Sequence, residues 1–117
     1  MPDATTTVAS MRDAVRRFAD ERSWDPFHTP KNLVMGLAVE TAELMEHFLW
    51  VEGAASRRLV DDPAKRNAIA EELADVCAHL LNLTNSLGID LSDALAAKLV
   101  KNAVKYPVEK YRGKYEA

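Results

Sequence analysis

DPAKRNAIAEELADVCAHLLNLTNSLG, residues 62–88, decides the fold. Asp62-Pro63 is a cap followed by a residue suited to a first helical turn, and Gly88 is a stop. No glycine or proline interrupts the stretch between Pro63 and Gly88. With Glu72 set at zero, Leu83, Val76, Ile69, Leu87 and Leu80 fall in a stripe at roughly 20° to 80° around a helix axis. That is one buried face of a long helix, and the run is far too long for a strand.

Working outward, a second helix is predicted from Pro30, capped by Thr29, to Val51, ending at Gly53. Before it, Val8, Met11, Val15, Phe18 and Ala19 recur at helical spacing between Thr7 and Arg22. Ser23 to Pro30 is a loop with two prolines, and Gly53 to Asp62 a loop with a helical turn around Ser56 to Val60. Asp90 or Ser92 caps a last long helix ending near Tyr106-Pro107. Residues 1–6 and 108–117 read as flexible tails. With only 4 Gly and 5 Pro among 117 residues, few turns are available. The expectation is a single all-α domain over 1–117, a four-helix bundle.

Two of these helices carry the same acidic pattern. Glu40 and Glu43 lie on the second, and Glu72 and Asp75 on the third. A spacing of three sets each pair about 60° apart on one face. With Glu40 at zero, Leu33, Val51, Leu44, Leu37 and Phe48 fall in the same roughly 20° to 80° stripe that Glu72 has beside it. Isolated acidic pairs are ordinary on solvated helix surfaces, as Glu46, Glu52 and Glu71 illustrate. Two copies in the same phase to the core are a different matter, because packing the two stripes brings four carboxylates to one rim. Such a cluster needs a positive charge among it, and magnesium prefers carboxylate oxygens. His47 and His79 also hold equivalent positions, at the interface edge or behind the carboxylates. Each follows the second carboxylate by four residues, not the three of a Glu-x-x-His di-iron site, which disfavours redox iron.

Two further groups bear on a ligand. Lys98, Asn102 and Lys105 lie within about 60° of one another on the last helix, with Lys101 beside them and Tyr106 closing the row. Beside four metal-binding carboxylates this basic stripe suits a polyphosphate. The loop residues Trp24, Phe27 and His28, with Asn32 and Trp50, bring aromatic rings and polar edges together. Trp24 and Phe27 read as core plugs, and His28, Asn32 and Trp50 as ligand contacts.

A net charge of -3 argues against coating polymeric nucleic acid. The single Cys77 forms no disulfide within the chain, which suits a reducing compartment. Met1 to Thr7 is too polar for a signal peptide, and no apolar run approaches a membrane span. The expected location is the cytoplasm.

Taken with their surroundings, these features resemble the MazG-like family of all-α nucleotide pyrophosphatases, and within it the dCTP pyrophosphatase branch. The carriers are Glu40/Glu43 followed by Glu72/Asp75, in order with ERSWDPFHTPKNL (21–33), FLW (48–50), EELADV (71–76) and KLVKNAVKYP (98–107). The likeness runs from about Arg12 to Tyr115. It implies a helical homo-oligomer, dimer or tetramer, with sites at subunit interfaces. It implies that Glu40, Glu43, Glu72 and Asp75 bind magnesium, with manganese as a possible substitute. The implied reaction is attack of water on a nucleoside triphosphate, giving a monophosphate and pyrophosphate, with dCTP and base-modified dCTP preferred. By position His28 and Trp50 would meet the base, and Lys98, Asn102, Lys105 and Tyr106 the sugar and phosphates. The spacer from Trp50 to Glu71 and the tail from Tyr111 depart from the branch. A broad-specificity or dUTP-preferring sibling, or a non-enzymatic nucleotide-binding or oligomerisation module, are the competing readings.

Overall fold

Capping side chains fix where the helices begin. The computed structural model describes residues 1–114; the end of the expected tail, 115–117, lies outside them. Helix α1 spans Val8–Glu21, with the Thr7 side chain accepting from Ser10 N at 3.1 Å. Helix α2 spans Pro30–Glu46, where Thr29 accepts from Asn32 N at 3.2 Å. Helix α4 spans Pro63–Leu87 and is capped by Asp62, and α5 spans Leu91–Lys105 and is capped by Asp90. Short helices α3 (Gly53–Ser56) and α6 (Val108–Tyr111) fill the remaining connections. Each cap satisfies an amide that the first turn leaves without a partner. Gly88, at φ 66°, closes α4 in the left-handed conformation, and its N–H donates to Thr84 O. The described residues contain no strand.

Three boundaries differ from the expectation. Helix α2 stops at Glu46, not Val51. Beyond it the N–H groups of His47, Phe48 and Val51 bond to carbonyls three residues back, a tighter winding than the α-helix. The run His47-Phe48-Leu49-Trp50-Val51 is mostly aromatic and β-branched, residues that lose side-chain freedom in a helix. The turn expected around Ser56 to Val60 is two pieces, α3 and a 3-10 turn at Leu59–Asp61. Regular turns also form at Asp3–Thr5 and in α6, where the sequence suggested only tails. The second is held by Tyr111 packing edge-on against Tyr106, with ring centroids 5.1 Å apart.

Packing centres on α4. It is paired with α2 along most of its length and carries α1 on another side. The pairing with α2 is antiparallel: Gly36 meets His79, and four and then three residues on, Glu40 and Glu43 come opposite Asp75 and Glu72. Ala19, Leu33, Ile69 and Leu81 form the buried apolar core. The Thr84 hydroxyl, buried beside them, donates to Leu81 O at 2.8 Å.

That core is thin for 117 residues, and α5 hardly touches the rest of the chain. The radius of gyration is 17.1 Å, against about 13 Å for a compact domain of roughly this size. Alone, the chain leaves much apolar surface in water.

Candidate metal centre and its adjoining cavity

The antiparallel register of α2 and α4 juxtaposes the acidic pairs. Glu40, Glu43 and Glu72 each offer a carboxylate oxygen, and these oxygens lie within 4.8 Å of one another. Asp75 stands beside the cluster without joining it within that distance. Aspartate is shorter than glutamate by one methylene, which limits how far it reaches across the helix interface.

The electrostatics are those of a crowded acidic site. Burial raises the Glu40 carboxyl above its ordinary value of 4.5, and the neighbouring Glu43 and Asp75 raise it further, with His79 opposing them. Burial likewise raises Glu72, with the charges of Glu43 and Asp75 adding to it. The buried Oε2 atoms of Glu40 and Glu72 have no hydrogen-bond partner. A buried polar atom without a partner is costly. Two of them, facing further carboxylates, fit a hard cation that takes oxygen ligands.

His79 is fixed behind this cluster. Its Nδ1 lies 2.9 Å from the Asp75 carbonyl oxygen, to which it donates, and the Cδ2–Nε2 edge of its ring packs against Gly36. A Cβ at Gly36 would sit 2.6 Å from His79 Cδ2 and 2.7 Å from Nε2. Gly36→Ala is therefore expected to destabilise the protein by about 1–2 kcal/mol, because overpacking outweighs the roughly 1 kcal/mol gained in helix propensity. Urea unfolding measures this, and adding His79→Ala should recover the loss. If Gly36→Ala unfolds at higher urea than the parent, the ring yields freely and the contact is not a constraint.

Beside the cluster a cavity of about 540 Å³ opens between α1 and α4. Val15, Phe18, Trp24 and Leu33 give it an apolar wall, Asp75 and His79 line it on the cluster side, and His28 and Asn82 also border it. His28 and Asn82 are shared with a smaller, polar cavity of about 260 Å³ that includes Arg16, Asp20, Asp25 and Asn85. The Trp24 ring stands edge-on to His28 and to Phe18, each at 5.8 Å between centroids.

Of the residues singled out by sequence, the chain thus brings Glu40, Glu43 and Glu72 together, with Asp75 and His28 at the adjoining cavity. Trp24 is a wall of that cavity, not a core plug, and Phe27 is exposed. Both sit in a loop wound tightly by Ser23 at φ 53° and by a 3-10 turn. Asn32 ties down the same loop, its Nδ2 donating to Phe27 O at 3.0 Å, and lines neither cavity. Trp50 is 95% exposed in the turns after α2. Lys98, Asn102, Lys105 and Tyr106 lie on or just past α5, outside the cluster and both cavities; Lys105 Nζ sits 5.3 Å from the centre of the Tyr106 ring. Sequence reasoning passed over Asn82 altogether. Its signal is a polar residue inside Leu80-Leu81-Asn82-Leu83, seven residues past Asp75 and so on the same face.

Known proteins resemble this chain in sequence and in fold. The chain is 37% identical over 107 residues to dCTP pyrophosphatase 1 of Rattus norvegicus, covering 92% of this chain and 63% of that protein. For the Homo sapiens protein of the same name the identity is 36% over 101 residues, covering 86% and 59%. The chain thus spans somewhat under two thirds of the length of these relatives. Among solved structures, a pyrophosphatase from Archaeoglobus fulgidus superposes with a TM-score of 0.78 at 33% identity, covering 92% of this chain and 98% of that one. A model of the MazG-like family matches residues 36–116, a span that holds the acidic cluster, all of α4 and the part of α2 that carries Glu40 and Glu43. With its all-helical fold and paired acidic helices, the chain belongs to the MazG-like family.

Proposed function

We propose that the chain is a magnesium-dependent nucleoside triphosphate pyrophosphohydrolase, acting on dCTP or a base-modified dCTP and releasing the monophosphate and pyrophosphate. The observation that carries this reading is the trio Glu40, Glu43 and Glu72, two of its buried oxygens unpartnered, standing next to an apolar cavity large enough for a base. The relatives named dCTP pyrophosphatase and the archaeal pyrophosphatase support it.

The cluster would hold the ion through Glu40, Glu43 and Glu72, with Asp75 alongside. When bound, magnesium, or manganese in its place, supplies neutralising charge for the triphosphate and polarises its phosphoryl oxygens. The chain's own part is to place the reactants. Val15, Phe18, Trp24 and Leu33 take the base out of water, which leaves the phosphates near Asp75 and the cluster. Water attacks the α-phosphorus as its bond to the bridging oxygen breaks, and pyrophosphate leaves. Glu43 and Asp75, both open to solvent, are the carboxylates placed to take the proton from that water.

The basic stripe of α5 completes the phosphate site from a second copy of the chain, in a dimer or tetramer. Support comes from α5 itself. Leu95 and Leu99 are exposed on one face and Val100 and Val104 on the other, so both faces need a cover. No helix among the described residues is long and apolar enough to cross a membrane. Trp50, also exposed, is a further group for the neighbouring copy's pocket.

The direct test is incubation with dCTP and magnesium, with products resolved by anion exchange. Appearance of dCMP and pyrophosphate, absent without metal, is the expected result. Orthophosphate and dCDP would move the cut and sink the proposal. Faster turnover of dUTP or of a broad panel would favour the sibling specificity, and no turnover of any triphosphate would favour a binding module.

Linkage adds a second test. Because folding raises the Glu40 and Glu72 carboxyls above 4.5, their contribution to stability is full below that pH and is lost as pH rises through the raised values. A cation binding the ionised pair restores what the repulsion removes, and does so most where the pair is deprotonated. Magnesium should therefore raise Tm more at pH 7.5 than at pH 5. An equal shift at both values would place the ion elsewhere.

A further inference from the structure

Two asparagines lie three residues apart on α4, and the chain treats them differently. Asn85 is tied down by three hydrogen bonds: its Oδ1 accepts from Arg12 Nε at 3.0 Å and from an Arg16 guanidinium nitrogen at 3.1 Å, and its Nδ2 donates to Arg12 O at 3.0 Å. No hydrogen bond among the described residues uses the side-chain amide of Asn82. Yet Asn82 is half-buried and lines the apolar cavity, at the border that His28 also shares with the polar one. An amide open to a largely apolar cavity, with a donor and an acceptor free of the chain's own groups, can pair with a ligand held there.

Its position suits one part of the substrate. Asp75 and Asn82 are two helical turns apart on one face, about 10 Å along the axis. A nucleotide whose phosphates lie by Asp75 and the acidic cluster spans that length with its sugar and ring, which brings the far edge of the base to Asn82. The faces of the ring then meet Phe18, Trp24 and Leu33, which offer no polar partner apart from the Trp24 indole N–H.

We infer that Asn82 is the specificity-determining residue that reads the hydrogen-bonding edge of a pyrimidine base, an inference that rests on the nucleotide reading above. Against cytosine, Oδ1 accepts from the 4-amino group and Nδ2 donates to N3, the two-point pairing an amide makes with an adjacent donor and acceptor. Turned about its last bond, the same amide matches O4 and N3–H of uracil. Asn82 therefore demands the edge without choosing between the two pyrimidines.

The test crosses a substitution with a change in the substrate. Asn82→Ala replaces an unpartnered amide with the strongest helix former, so the fold is expected to hold. Asn82→Leu keeps the volume and serves as a second variant. For each, kcat/KM is measured with dCTP and with the analogue triphosphate whose base lacks the 4-amino group. The parent protein should prefer dCTP by about tenfold or more. Both variants should lose that preference, with the loss in KM and kcat within a few-fold of the parent. A structural role for Asn82 would lower turnover of both substrates and leave their ratio alone. A parent that hydrolyses dCTP without preferring it, or a variant that keeps the preference, overturns the inference and leaves the enzyme assignment standing. A parent that hydrolyses no triphosphate overturns both.

Discussion

Glu72→Gln should lose at least about a hundredfold in magnesium-dependent turnover while making the metal-free protein more stable. The two effects have one cause. Glu72 Oε2 is buried without a partner, and the Glu43 and Asp75 charges face it, so its negative charge is held against both burial and repulsion. An amide keeps the shape and removes the charge, relieving the apo-protein and depriving the ion of a ligand. The stabilisation should be larger at pH 7.5 than near pH 4.5, because below its raised value the parent carboxyl is already neutral. Thermal unfolding with chelator present, alongside the product assay, reads both halves. Near-normal turnover would remove Glu72 from the metal site. A loss of turnover with lowered apo stability would mean that the substitution damaged the fold instead.

Much of that site was legible because helix geometry is rigid. The spacing of Glu40 from Glu43 equals that of Glu72 from Asp75, so two antiparallel helices in contact bring the pairs face to face. The caps Thr29 and Asp62 and the stop at Gly88 were equally plain, since each satisfies groups that helix ends always expose. What the pattern could not supply is the reach of individual side chains, by which Glu40, Glu43 and Glu72 draw within 4.8 Å of one another while Asp75 stands beside them. Nor does periodicity along one helix fix how a second is set against another of its faces. The cavity between α1 and α4, and Asn82 within it, depend on that setting. Trp24 and Phe27 were misplaced for a related reason. Aromatic residues in a proline-bounded loop look like core plugs, yet here Trp24 walls an open cavity and Phe27 stands in solvent.

If a second copy covers α5 as proposed, Val104→Asp should leave a folded but less stable monomer and abolish most of the turnover, although every carboxylate of the acidic cluster stays within one chain. Val104 is 81% exposed, so a carboxylate there costs the isolated chain almost nothing. If a second copy covers α5, the same carboxylate is buried without a partner, a cost of roughly 3–5 kcal/mol and hence about two to four orders of magnitude in association. The fold makes this asymmetry necessary. Helix α5 is apolar on opposite faces, shares little surface with α1, α2 or α4, and belongs to a chain whose described residues include four buried apolar ones. A helix of that kind persists in water only when something covers it. In the proposed assembly the cover would also decide activity, because Lys98, Asn102 and Lys105 ride on α5 and meet neither the acidic cluster nor the cavity of their own chain. Sedimentation equilibrium should therefore show the variant at monomer mass, with a Tm that no longer rises with protein concentration. A variant of unchanged mass and activity would show that α5 faces water in the working protein. The phosphates would then have to be held without its lysines, and the acidic cluster with its ion would carry that task alone.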